Sequence, residues 1–128
     1  MNPKLRKILV YIAGPYSGLS DGAILDNILR AEATAHTLLS IGFSVFCPHK
    51  NTGWFTQKCC RYGVLPETTC MENGITILER CDALLLLEGW QESVGAKTER
   101  KFAEENNIPV FESVAELVEF AGIIREAQ

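Results

Sequence analysis

From Asp82 to Leu87 the chain reads Asp-Ala-Leu-Leu-Leu-Leu, apolar at every position after the first. A strand with one wet face alternates in polarity, whereas a run without alternation is buried on both faces, as in the interior of a parallel sheet. Lys7 to Ala13 (KILVYIA) has the same character and ends in Gly14-Pro15. Parallel neighbours cannot be joined by a tight hairpin, so helical crossovers must separate them. Segments of helical period lie in the right places. Asp26 to Ile41 carries Ile28, Leu29, Ala31, Ala35, Leu38 and Leu39 at helical spacing and is closed by Gly42. Glu72 to Arg80 turns Ile75 and Leu78 inward. Ala96 to Asn106 forms the next helix, and Ser113, with Glu116 at capping-box spacing, starts a last one that runs to about Ile124. Phe43 to Cys47 and Ile108 to Phe111 read as short strands. The expected fold is α/β: a doubly wound parallel sheet of four to five strands, flavodoxin-like or Rossmann-like, with right-handed crossovers. A fifth strand exists only if the irregular, aromatic and polar stretch Asn51 to Pro66 hides one. That stretch otherwise reads as a lid or an interface.

The chain of 128 residues, 47% of them hydrophobic, suits a single domain spanning 1–128, since two would each be too small to bury much. A net charge of -4 and the lack of a basic run argue against a nucleic-acid partner. Lys4, Arg6 and Lys7 flank the first strand. No stretch reaches the roughly 18 to 20 apolar residues of a membrane span. Ile8 to Ala13 leads into Gly-Pro rather than a small-residue cleavage site. No membrane partner and a cytoplasmic location are therefore expected. Five cysteines (Cys47, Cys59, Cys60, Cys70, Cys81) include no CxxC pair, and only His36 and His49 supply imidazoles, so reduced thiols and no metal are expected.

In a sheet of this kind the carboxyl ends of the strands share one edge, where ligands bind. Three loops meet there: Gly14-Pro15-Tyr16-Ser17-Gly18, Pro48-His49-Lys50-Asn51-Thr52, and Glu88 to Gly95. The first suits a phosphate, because glycines admit close backbone approach and a helix follows; a plain tight turn fits it equally. Ser93-Val94-Gly95 suits an anion at a helix start or an ordinary N-cap. His49 is aimed by Pro48, and Trp54 and Trp90 either stack a flat ring or pack the loops. Glu99 is the outlier. Ala96, Phe102 and Ala103 define the inner face of its helix, and steps of three and four along that face pass through Glu99, while Lys97, Thr98, Arg100, Lys101, Glu104 and Glu105 take the other side. Tyr11 interrupts an aliphatic strand near its carboxyl end; a buried tyrosine hydroxyl needs a partner, and a carboxylate on the adjacent helix would be one.

These motifs, taken in order, resemble a known family. Tyr11-Ile-Ala-Gly14-Pro15-Tyr16-Ser17-Gly18, Asn27-Ile-Leu-Arg30-Ala31-Glu32, Gly42-Phe-Ser-Val, Cys81-Asp82 with its apolar strand, and Gly89-Trp90-x-x-Ser93-x-Gly95-Ala96-x-x-Glu99-x-x-x-Ala103 are similar to the nucleoside 2-deoxyribosyltransferase-like superfamily. That group includes deoxyribosyltransferases, 2'-deoxynucleoside 5'-phosphate N-hydrolases and a branch of small bacterial and phage domains of unassigned function. The resemblance runs from about Lys7 to Val110.

The resemblance implies an N-glycosidase without metal or organic cofactor, acting on a nucleoside or nucleotide, with Glu99 as nucleophile toward C1' and Tyr11 as the residue that orients it. It implies that the Gly14, Pro15, Tyr16 and Ser17 loop, Ser93 and Gly95 hold the 5' end; His49, Asn51, Gly89 and Trp90, from the loops that meet at the same edge, are expected to line the substrate site beside them. A covalent glycosyl ester would form through an oxocarbenium-like transition state and then be attacked by water or by a second base. A homodimer or higher homo-oligomer is implied, and Trp54 to Tyr62 is a plausible contact. Two departures matter. Relatives carry an acidic residue about two turns before the position of Asp82, which here falls near Gly74 beside Asn73 and Glu72; a shift that recruited Glu72 would rotate it off the face. The transferases' C-terminal substrate segment has no match in Phe120 to Gln128, which favours hydrolysis over base exchange. A nucleotide-binding module that does not react is the reading from another class.

Overall fold

The two apolar runs become adjacent central strands. The computed structural model describes residues 7–15, 20–48 and 67–127, and within them the strands are β1 (Leu9–Ala13), β2 (Ser44–Phe46), β3 (Ala83–Leu86) and β4 (Val110–Phe111). They form one wholly parallel sheet in the order β2-β1-β3-β4. Its register sets Val10 beside Val45 and Tyr11 beside Leu84, with Leu84 in turn beside Val110. Among the described residues run the helices α1 (Asp21–Ile41), α2 (Glu67–Leu78), α3 (Val94–Glu105) and α4 (Val114–Ala127).

Strand period two divides the interior into two half-cores. Val10, Ile12, Ala83 and Leu85 pack with Ala35 and Leu38 of α1 and with Leu117 and Ala121 of α4. Tyr11, Ala13, Leu84 and Leu86 pack with Leu78 of α2 and with Ala96 and Ala103 of α3. Helices thus cover both faces, and the doubly wound flavodoxin-like arrangement expected from the sequence is the one observed. No helix among the described residues is long and apolar enough to cross a membrane.

The element limits differ from the sequence pattern at the helix starts. α1 begins five residues before Asp26, capped by Ser20, whose hydroxyl accepts the Ala23 amide at 3.1 Å. α2 begins five residues before Glu72 and stops at Leu78, leaving Glu79 and Arg80 in a turn. The end of α1 and the start of α4 were better marked. Gly42, with φ 126°, closes α1 through its N–H to Leu38 O, and at α4 the Glu116 amide donates to Ser113 Oγ at 3.1 Å. At the amino edge of the sheet the Asp82 carboxylate accepts the Leu9 N–H at 2.8 Å, stitching the start of β3 to β1. The stretch Asn51 to Pro66, with its possible fifth strand and the proposed contact Trp54 to Tyr62, lies outside the described residues.

Candidate functional site

Chain order reverses between β1 and β3: one neighbour of β1 is reached through α1 on one face, the other from α2 on the opposite face. Such a switch point opens a crevice at the carboxyl edge. Its two loops pack directly on each other. A Cβ added at Gly14 would sit 2.7 Å from Leu87 Cβ, and one at Gly89, itself in the left-handed region at φ 87°, would sit 3.2 Å from Pro15 Cγ. Glycine is therefore needed at position 14 for space and at 89 for conformation as well. After Gly89 a single 3-10 turn (Trp90–Glu92) leads to Ser93, which caps α3 by accepting the Ala96 amide at 3.1 Å. Ser93 acts here as a helix cap. Gly95 faces α2, with Met71 Cε 3.2 Å from where its Cβ would be. Trp90 is held by three contacts: its N–H donates to Glu112 at 2.8 Å, the Arg100 guanidinium lies 4.9 Å over its ring, and the ring packs on the α2/α3 half-core. Those contacts make Trp90 a tie between the β3–α3 loop, α3 and the loop after β4.

α3 buries Ala96, Glu99 and Ala103, and exposes Lys97, Thr98, Arg100, Lys101, Glu104 and Glu105. Glu99 thus projects from the inner face, 9% exposed, and hydrogen-bonds the hydroxyl of Tyr11, which is 1% exposed and wedged against Phe46 with ring centroids 5.6 Å apart. Burial pushes the Glu99 carboxyl up to about 7, and the bond from Tyr11 only partly opposes this. Burial, and then the neighbouring Glu99 charge, push the Tyr11 hydroxyl far above its ordinary value, so it stays a donor. Gly74 of α2 lies directly against the pair: its Cβ would be 2.9 Å from the Tyr11 hydroxyl and 3.7 Å from Glu99 Oε2. Sequence periodicity identified both members of the pair but not the glycine that presses upon them, since close approach between two helices leaves no periodic signal. A hydrogen-bonded carboxylate titrating near neutrality can act as nucleophile or general base.

The remaining sequence-derived residues divide simply. Gly14, Pro15, Gly89, Trp90, Ser93 and Gly95 all lie at the carboxyl edge, in the two touching loops and the start of α3. Tyr16, Ser17, His49 and Asn51 lie outside the described residues. A cleft of about 260 Å³ opens at the same edge, lined by Pro15, Asn27, Arg30, Ala33, Thr34, Leu87 and Glu88. It belongs to the α1 side, where Leu87 joins the α1/α4 half-core, and neither Tyr11 nor Glu99 contributes to its lining. Asn27 and Arg30 appear in the sequence motif of α1, but only the fold brings them beside Pro15 and Glu88.

Comparison with known proteins gives a family and a fold. The family described as a domain of unknown function, DUF4406, matches residues 8–124, so the chain belongs to it. The solution structure of BlsM superposes with a TM-score of 0.53 at 20% identity, covering 98% of this chain and 76% of that one, a likeness of fold. A search of curated proteins finds no match.

Proposed function

We propose that this member of the DUF4406 family is an N-glycosidase of the nucleoside 2-deoxyribosyltransferase-like kind, cleaving the base from a nucleoside or nucleoside 5'-phosphate with Glu99 as nucleophile. The observation that carries the reading is the buried Glu99 carboxylate held by the Tyr11 hydroxyl at the switch-point side of the sheet. In the proposed reaction a Glu99 oxygen bonds to C1' as the C1'–N bond breaks, and the electron pair leaves with the base. Water then cleaves the ester, its hydroxyl passing to C1' and its remaining proton to the released base, which frees the sugar and restores the carboxylate. Tyr11 donates to one carboxylate oxygen, lowering the cost of the buried charge and directing the other oxygen outward. Because Glu99 is 9% exposed, a sugar reaches it only when the groups packed over the carboxylate move aside.

The test is a panel of nucleosides and 5'-nucleotides assayed for released base, with a second free base added to reveal exchange. Glu99→Gln should abolish release by at least about a hundredfold with its fold intact, since it removes the covalent step. Full turnover by that variant would remove Glu99 from the chemistry. The ionised form is the reactive one, so release should rise with pH through about 7. Tyr11→Phe takes away the donor that lowers this value, and the rise should move to higher pH.

Gly74 favours a second reading. Its Cβ position already meets the Tyr11 hydroxyl, so this point of α2 supplies no acid to protonate a departing base. A module that binds an intact nucleotide without cleaving it needs no such acid. Saturable binding of a nucleotide that stays whole over hours would decide for that reading.

A further inference from the structure

The α1-side cleft has a chemistry of its own. α1 has 21 residues against five in β1, and at roughly 1.5 Å per residue against 3.3 Å it is nearly twice as long. Its middle therefore stands level with the loops at the carboxyl edge, where Asn27, Arg30 and Thr34 face Pro15, Leu87 and Glu88 across about 260 Å³. The close contact of Gly14 with Leu87 separates this space from the Tyr11–Glu99 pair on the other face.

Arg30 gives the cleft its character. On a helix the usual partner of an arginine is a carboxylate one turn away, and Asp26 stands at that spacing. The guanidinium turns instead to a neutral amide: Nη2 donates to Asn27 Oδ1 at 2.6 Å, and Asn27 is only 8% exposed. Among the described residues Arg30 makes no ion pair, either with Asp26 or with Glu88 at the rim. One of its five donors is occupied by Asn27, which fixes the plane of the fork. A positive charge anchored by a buried amide, not neutralised, and set in the wall of a cleft is suited to a ligand anion. We propose that this cleft binds an oxyanion, the phosphate of a small phosphomonoester, through the Arg30 guanidinium, with Glu88 opposing the negative charge and thereby limiting affinity. Guanidinium geometry matches a phosphate bidentately, and Pro15, Ala33 and Leu87 offer apolar surface to the organic part.

The site is independent of the Glu99 chemistry, and its test is as well. The full chain labelled with 15N is titrated with inorganic phosphate, and separately with acetate, at constant ionic strength, following amide and arginine Nε–H signals. Saturable shifts should centre on Asn27, Arg30, Leu87 and Glu88, with phosphate binding more tightly than acetate. Arg30→Gln should weaken phosphate about tenfold, the scale of one charge-assisted contact. Glu88→Gln should tighten it, and Glu99→Gln should leave it unchanged. Arg30→Gln, on α1, and Glu88→Gln, in the turn after β3, replace exposed side chains, and their amide spectra report that the fold persists. The proposal fails if the shifts gather instead at the helix starts, Ser20 to Ala23 or Ser93 to Ala96. It fails equally if Arg30→Gln binds phosphate as the parent does, or if acetate matches phosphate.

Discussion

A carboxyl group that titrates at about 7 in the folded chain and near 4.5 when unfolded ties Glu99 to stability as well as to chemistry. Between those values the folded state keeps the proton and the unfolded state has lost it, so stability falls as pH rises from about 4.5 and levels off above 7. The full difference corresponds to roughly 3 kcal/mol. Glu99→Gln removes the titration, so urea midpoints measured at pH 4.5 and pH 8 should show the variant gaining on the parent by about that amount at the higher pH. An equal change in both proteins would mean that Glu99 is ionised at ordinary cost. Gly74 gives a second prediction, decided by magnitudes. Replacing a mid-helix glycine by alanine typically gains up to about 1 kcal/mol, but overpacking a buried contact costs about 1 to 3 kcal/mol. With the new methyl 2.9 Å from a hydroxyl on a rigid, fully buried ring, overpacking wins. Gly74→Ala should be destabilised by about 1 kcal/mol in denaturant titration and should lose base release with it, because the Tyr11 hydroxyl must shift. Tyr11 and Glu99 were legible in the sequence, one as a polar break in an apolar strand and the other as a charge on an apolar helical face. The pressure from Gly74 was not, because it is set by how two helices cross.

Among elements, strands and helix ends were readable to different degrees for a physical reason. β1 and β3 are covered on both faces, so every residue reports burial and the runs stand out. The first turns of α1 and α2 carry exposed residues, among them Asp21, Gly22, Leu25, Thr68 and Thr69, and therefore no apolar period. Ser20-Asp21-Gly22 also has turn composition, which concealed a cap that the structure shows bonded to Ala23. Trp90 shows the same limit: its indole N–H finds Glu112 and its face meets Arg100, partners 22 and 10 residues away that spacing alone does not announce. Asp82 tests the separation of the sheet's two edges. Its carboxylate accepts the Leu9 N–H at the amino edge, opposite the crevice. Asp82→Ala should cost about 1 kcal/mol of stability, the net worth of one such bond, while leaving base release and its pH dependence unchanged. A loss of turnover at unchanged stability would contradict the assignment of Asp82 to structure alone.

On the scale of the whole molecule, the sheet is a partition. Leu84 and Leu85 are successive residues of one central strand, 0% and 2% exposed, yet they belong to different half-cores. Leu84 stands beside Tyr11 in the register and packs on the α2/α3 side, whereas Leu85 packs against α1 and α4. Truncating either to alanine opens a cavity of similar size, so both variants should lose about 2 to 5 kcal/mol. Stability alone cannot tell the two faces apart. Titration can, because Glu99 owes its raised value first to burial, and only the cavity beside Tyr11 loosens that burial or admits water. Leu84→Ala should flatten the fall in stability between pH 4.5 and 8, and move the rise of any base release toward lower pH. Leu85→Ala should keep both curves in place at a lower overall stability. Parallel shifts in the two variants would mean that the half-cores are mechanically one, and that the chemistry of the α2/α3 face cannot be assigned independently of the cleft beside α1.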